Sequence, residues 1–232
     1  MYSSRTINVA GHAREFWFRP GTSDSEVIRQ VFEDKGQDLI DTAAKQLLAD
    51  RRDADGTFTG SLIVDCGANI GATAVHFALG FPGAQIVAIE PEVSNVELMQ
   101  ENVKDFNVIC LRAGVSSTAG VGRLVDPRAE QYAFRTTRQE NVTDEPTFPF
   151  VTINDIYNKF SSFKPLIVKI DIEGAELDLF RENLEWVDAT PIITVELHDW
   201  HSPGCSETFY KCVNERKRQL FWGKYGSVLA MP

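Results

Sequence analysis

The chain has 232 residues, with 33 acidic against 23 basic side chains and a formal net charge of −10. A surplus of that sign repels polyanions and anionic lipid surfaces, which excludes a protein that works by neutralising phosphates. Hydrophobic residues at 43% and charged residues at 24% are ordinary for a globular protein, and the length suits one large α/β domain with no visible linker.

No apolar run approaches the ~18 residues that span a bilayer, so no membrane insertion is expected. The segment from Met1 to Ala10 lacks the apolar stretch of a secretion signal, and the expected location is the cytoplasm. Cys66, Cys110, Cys205 and Cys212 form no C-x-x-C pair, so reduced thiols are expected.

In chain order, the first sixty residues carry two apolar stripes at helical spacing. One is Val27, Ile28, Val31 and Phe32; the other is Leu39, Ile40, Ala43, Ala44, Leu47 and Leu48. Ser23 or Asp24 is placed to cap the first. Phe16, Trp17 and Phe18 form either core or an aromatic wall, core being the commoner fate. A polar loop from Asp50 to Gly56 follows.

Beyond it, short apolar runs alternate with helical stretches. The runs are Leu62–Val64, Ile86–Ile89, Val108–Leu111, Leu166–Ile170 and Ile192–Leu197, and the helices are expected around Ala72–Leu79, Val93–Val103, Ala175–Phe180 and Glu207–Arg218. Such alternation predicts a mostly parallel sheet with helices on both faces. Between Gly114 and Phe150 the pattern lapses among Gly120, Gly122, Pro127, Pro146 and Pro149, and the segment reads as a hairpin or excursion over one sheet edge. Ser227–Met231 reads as a final strand. The basic residues Lys211, Arg216, Lys217 and Arg218 read as a solvated helix face.

The strongest signal is Leu62-Ile63-Val64-Asp65-Cys66-Gly67-Ala68-Asn69-Ile70-Gly71, a strand that ends in an acid and a glycine turn opening a helix. Glycines there let backbone approach a ligand where a Cβ would collide. The G-x-x-x-G spacing lacks the middle glycine of dinucleotide enzymes, and Asp65 would repel a pyrophosphate but attract an ammonium-bearing ligand. The next strand ends in Glu90-Pro91, where this class of sheet holds ribose hydroxyls. The pair of acids fits S-adenosylmethionine better than NAD.

Two later strands also end in charge. Period-two alternation puts Lys169 and Asp171 on one face, and likewise Glu196 and His198. On neighbouring strands, these four would converge at the carboxyl end of the sheet, where open α/β sheets bind ligands. A lysine in an apolar strand needs a carboxylate partner, for which Asp171 or Glu196 would serve. His198 is the natural general base, with Asp171 or Glu173 as the alternative. A second route has Asp171, Glu173 and Glu196 bind Mg²⁺; the metal-free route is favoured. Glu176 falls in a first helical turn, where capping and catalysis are about equally expected. His198-Asp199-Trp200-His201, with Cys205 and Cys212 beyond it, matches no standard zinc spacing.

The string Val64 to Gly71, Glu90-Pro91 with Asn95 and Asn102, and Lys169-Ile170-Asp171-Ile172-Glu173-Gly174-Ala175-Glu176 together resemble the FkbM-type methyltransferase family, from about Asp24 to about His198. The resemblance implies a class I, Rossmann-like methyltransferase fold. It also implies methyl transfer from S-adenosylmethionine to a hydroxyl of a sugar, glycolipid or secondary metabolite. By that likeness Asp65, Gly67, Asn69 and Gly71 line the methionine end, Glu90 holds the ribose and Ala113 lies near adenine. Lys169, Asp171, Glu173 and His198 are then the catalytic candidates. Residues 1–56 become an appendage contributing to the acceptor pocket and 57–232 the methyltransferase domain. The rivals are an NAD-dependent oxidoreductase or epimerase and a non-catalytic module that keeps the cofactor fold.

Overall fold

The apolar runs assemble into one seven-stranded sheet. The computed structural model describes residues 2–34, 40, 43–125, 135–138 and 147–232. Its central strands are β3 (Ser61–Cys66), β4 (Gln85–Glu90), β5 (Val108–Arg112), β10 (Lys164–Ile170), β11 (Ile192–Glu196), β12 (Gln219–Trp222) and β13 (Ser227–Met231). They lie in the order β12-β13-β11-β10-β3-β4-β5. All pairs are parallel except β11–β13 and β12–β13. Parallel strands need crossovers on both faces and so are buried on both sides. Accordingly Ile63 of β3 faces one apolar cluster, while Leu62 and Val64 face the other. This is the mostly parallel, doubly covered sheet that the β-α alternation predicted, and the class I methyltransferase arrangement that the family resemblance implied.

The expected helices form as α3 (Ala72–Gly80), α4 (Val93–Val103), α6 (Glu176–Leu179) and α8 (Cys205–Glu215). Two short ones were not anticipated, α5 (Ile153–Lys159) and α7 (Glu185–Ala189). The sequence signal for α5 is a capping box: the Thr152 hydroxyl accepts from the Asp155 amide, and the Asp155 carboxylate accepts from the Thr152 amide.

The appendage begins with a hairpin absent from the sequence reading, β1 (Ser3–Val9) and β2 (His12–Phe18). Its turn residues Ala10 and Gly11 are both left-handed, as a two-residue turn matched to strand twist requires. Helix α1 (Asp24–Ile28) runs into a wider turn over Arg29–Glu33, and α2 covers Lys45–Arg51. Leu39 of the second predicted stripe lies outside the described residues. Ser23 makes no side-chain cap to α1. Asp24 is instead buried and gripped by Arg19, with Nε and Nη2 at 2.9 and 2.8 Å from its two oxygens. Phe16 is buried against Phe32, so the aromatic cluster is core.

The excursion is a second, four-stranded sheet in the order β6-β9-β7-β8, from β6 (Gly114–Val115), β7 (Gly120–Val125), β8 (Arg135–Arg138) and β9 (Thr147–Val151). Pro127 and Pro146 fall outside the described residues.

One basic residue departs from the solvated-face reading. Arg218 is buried, and its guanidinium donates to the carbonyls of Val187 and Thr190 at 2.5 Å, Ala230 at 3.3 Å and Pro191 at 3.4 Å. Its rigid fork serves carbonyls left over where α7 ends. Arg216 stays near the surface against Asp188. Arg218→Ala strands those buried carbonyls and is expected to cost about 3 kcal/mol of unfolding free energy in urea. Arg216→Ala should cost under about 1 kcal/mol; equal losses would contradict the staple.

Candidate active site

An open cleft of about 1230 Å³, its open mouth included, lies at the carboxyl ends of β3, β4 and β10. The glycine turn supplies Gly67, Ala68 and Asn69, the next strand end Glu90 and Pro91, and the chain after β5 Ala113 and Gly114. Opposite stand Lys169, Asp171, Glu173 and Glu196, while Val27, Gln30 and Val31 of the appendage, with Lys224 and Ser227, close the rim. Asp65, Gly71 and His198 sit behind this lining.

The two glycines are required by the protein itself. Gly67 has φ +76°, and a Cβ there would lie 1.7 Å from the carbonyl oxygen of Asp171. Gly71 has φ +86°, and its Cβ would meet Met99 at 3.0 Å. Both hold a left-handed conformation in tight packing, so the protein's own backbone and side chains demand glycine there whether or not a ligand also does. The turn also spends its own amides: Gly67 and Ala68 donate to Ile89 O at 3.0 Å, Asn69 to Glu90 Oε2 at 2.9 Å, Ile70 to Asn69 Oδ1 at 2.7 Å and Gly71 to Ala68 O at 2.8 Å. A pyrophosphate cradle needs such amides free.

Glu90 is a buried hub. Beside Asn69, its carboxylate accepts from the Glu92 amide at 3.0 Å and Asn95 Nδ2 at 3.3 Å. Burial pushes its carboxyl up to about 7, against the pull of those donors. Asn95 is bound in turn by Arg19 Nη2 at 2.6 Å, which ties the appendage to the hub. Asn102 makes a second tie, accepting from Trp17 N at 2.7 Å and donating to Trp17 O at 3.0 Å and Ile70 O at 2.9 Å. Asn95 and Asn102 were read only as part of a family pattern; their work is to fasten hairpin, helix and glycine turn together.

Lys169 is buried, with Nζ 3.0 Å from Gly67 O, 3.3 Å from Asp171 and 3.4 Å from Asp65. Burial opposes its charge, but the two carboxylates outweigh it and raise its pKa. Asp65, expected to face a cationic ligand, is thus the lysine's partner, and Glu196 is not. Burial raises the Asp65 carboxyl even so, outweighing the pull of Lys169.

His198 does meet the acids. Its Nδ1 is 2.9 Å from Glu176 Oε1, and its Nε2 is 3.7 Å from Asp171 and 3.8 Å from both Glu173 and Glu196. The ring is only 2% exposed. Burial disfavours the imidazolium, yet the Glu176 hydrogen bond and surrounding carboxylates push His198 up to about 9. That direction favours the imidazolium over the free base expected of it. Burial and the neighbouring Asp171 push Glu173 up to about 8 and Glu196 to about 7. Glu173 sits in the left-handed region at φ +53°, a strained conformation for a side-chain-bearing residue. Glu176 is fully buried and also accepts from the Ile172 amide at 3.2 Å, so it orients His198 and does not merely cap a helix.

The family model described as the methyltransferase FkbM domain matches residues 65–211. The chain belongs to the FkbM methyltransferase family. Two curated methyltransferases are similar to this family member. "Hexuronic acid methyltransferase AglP" of Haloferax volcanii is 26% identical over 84% of this chain and 75% of its own length. "Methyltransferase 1" of Beauveria bassiana is 26% identical over 60% of this chain and 65% of its own. Among solved structures, the 16S rRNA methyltransferase RsmC of T. Thermophilus, in complex with AdoMet and guanosine, has a TM-score of 0.48 at 13% identity over 99% of this chain and half of that one. The O-methyltransferase from Bacillus cereus, in complex with SAH, has 0.42 at 13% identity over 91% of this chain and 98% of that one.

Glu90 links stability to pH. Its folded pKa is raised, so its contribution is present at acid pH and is lost as pH rises through about 7. Thermal unfolding of the wild type should therefore fall off between about pH 5 and pH 8 more than that of Glu90→Gln, which cannot ionise there. Parallel curves would contradict the burial.

Proposed function

We propose that this methyltransferase uses S-adenosylmethionine to methylate an oxygen of a sugar-type acceptor. The observation that carries the reading is one continuous cleft joining a ribose-type acid, Glu90, and the glycine turn to the acids Asp171, Glu173 and Glu196. The relative named for hexuronic acid supports the acceptor class.

In this reading Gly67, Ala68 and Asn69 pack along the methionine portion, Glu90 accepts from ribose hydroxyls, and Ala113 leaves room for adenine. S-adenosylmethionine supplies an electrophilic methyl group on a sulfonium. The protein aligns an acceptor oxygen with it and removes one proton. Glu196, at 39% side-chain exposure the most open of the acids, takes that proton. His198 and Lys169 hold the neighbouring carboxylates in place and do not react. The amides already spent inside the glycine turn count against the nicotinamide alternative. Residues 1–56 contribute Val27, Gln30 and Val31 to the rim and so shape the acceptor entrance. The excess of ten negative charges fits a small or neutral acceptor better than nucleic acid. Among the described residues no helix is long and apolar enough to cross a membrane.

Two measurements test this. Glu90→Ala is expected to weaken S-adenosylhomocysteine binding in calorimetry by about ten- to a hundredfold with the fold kept; unchanged affinity would remove the ribose role. Incubation with methyl-labelled S-adenosylmethionine and a panel of hexuronates and neutral hexoses should give a product labelled on oxygen. Alkali then separates an ester from an ether. Label on nitrogen or carbon, or none on any sugar, would overturn the acceptor assignment.

A further inference from the structure

The acids at the acceptor end outnumber the cations that could balance them. Lys169 is engaged by Asp65 and Asp171. Asp171, Glu173, Glu176 and Glu196 also gather around the imidazole of His198, and His201 Nε2 stands 3.6 Å from Glu173. An acid cluster alone is common on protein surfaces and does not define a site.

The imidazole is a separate observation. His198 is 2% exposed, and its Nε2 points among three carboxylates at 3.7 to 3.8 Å, its nearest acidic groups among the described residues. Those separations exceed hydrogen-bond length. Its other nitrogen is held by the fully buried Glu176 at 2.9 Å. A carboxylate on one ring nitrogen that turns the other towards a cluster of acids is how metal-binding histidines are oriented. Donor atoms of Asp171, Glu173 and His198 all lie within 4.8 Å of one another. Ligands ~2.1 Å from a tetrahedral ion stand ~3.4 Å apart, so contractions of a few tenths of an ångström suffice for the pairs with His198.

We propose that Asp171, Glu173 and the Nε2 of His198, its proton released to solvent, bind one divalent first-row ion of the Mn²⁺ or Zn²⁺ class at the acceptor end of the cleft. The mixed nitrogen and oxygen donors favour such an ion over Mg²⁺, whose sites are built from oxygen. This differs from the sequence expectation of Asp171, Glu173 and Glu196 by exchanging a carboxylate for the imidazole. Glu196 stays beside the ion and free for proton transfer. Asp171 and Glu173 line the cleft while His198 lies behind it, so the open coordination positions face the acceptor, where an ion would orient a hydroxyl. The inference rests on the methyltransferase reading for its purpose, though not for its geometry.

The test uses the full chain after chelator dialysis. Mn²⁺ titration followed by electron paramagnetic resonance should show one ion bound per chain, with nitrogen coupling from one imidazole in the pulsed spectrum. Asp171→Asn and His198→Gln should each weaken binding by about ten- to a hundredfold, and Glu182→Gln, in an exposed acid outside the site, should leave it unchanged. The wild-type nitrogen coupling decides the matter even if His198→Gln fails to fold. No stoichiometric binding of Mn²⁺ or Zn²⁺ overturns the proposal, as does binding without imidazole coupling. S-adenosylhomocysteine binding, measured alongside, separates the two failures: with it intact only the ion site falls, and without it the methyltransferase reading falls as well.

Discussion

A buried ammonium sets the terms for the rest of the site. Lys169 points among the carboxyl ends of β3 and β10, where Asp65 is its register neighbour across the parallel pair. Taking a charge out of water costs several kcal/mol unless it is paired and hydrogen-bonded. Asp65, Asp171 and the Gly67 carbonyl together meet that need. Their placement fixes the start of the glycine turn against the loop that carries the acids. The left-handed Gly67, which tolerates no Cβ against Asp171, follows from the same closeness.

The Glu90 end of the cleft and the appendage are joined by side-chain bonds as well as by apolar packing. Asp24 grips Arg19, Arg19 reaches Asn95, and Asn95 reaches Glu90. Asn102 fastens the second hairpin strand to the glycine turn. A shift of the appendage would therefore be felt at Glu90, and Val27, Gln30 and Val31 would move with it at the rim.

Much of this was legible from residue order. Val93–Val103 and Ser227–Met231 were placed to the residue, because each is a clean periodic run with sharp boundaries. The meeting of Asp171, Glu196 and His198 followed from period two on neighbouring parallel strands. What escaped depends on partners distant in sequence. Asp65 and Lys169 are over a hundred residues apart, and only strand register makes them neighbours. Arg218 looks like surface until the carbonyls around Val187 and Thr190 are in view. The opening hairpin lacks an Asn-Gly or Asp-Gly turn, so its short alternation carried too little signal. His198 looked like a base because residue order placed Asp171 and Glu196 near it but not the buried Glu176 that holds its Nδ1.

The account turns on Lys169 as a paired, structural cation. A double-mutant cycle measures this directly, from the urea unfolding free energies of wild type, Asp65→Asn, Lys169→Met and the double variant. Each single change leaves a buried group without its partner and should cost about 3 kcal/mol or more. The double variant should fall short of the sum by at least about 2 kcal/mol. Additivity within about 0.5 kcal/mol would contradict the pairing and with it the claim that this lysine holds the two halves of the cleft together.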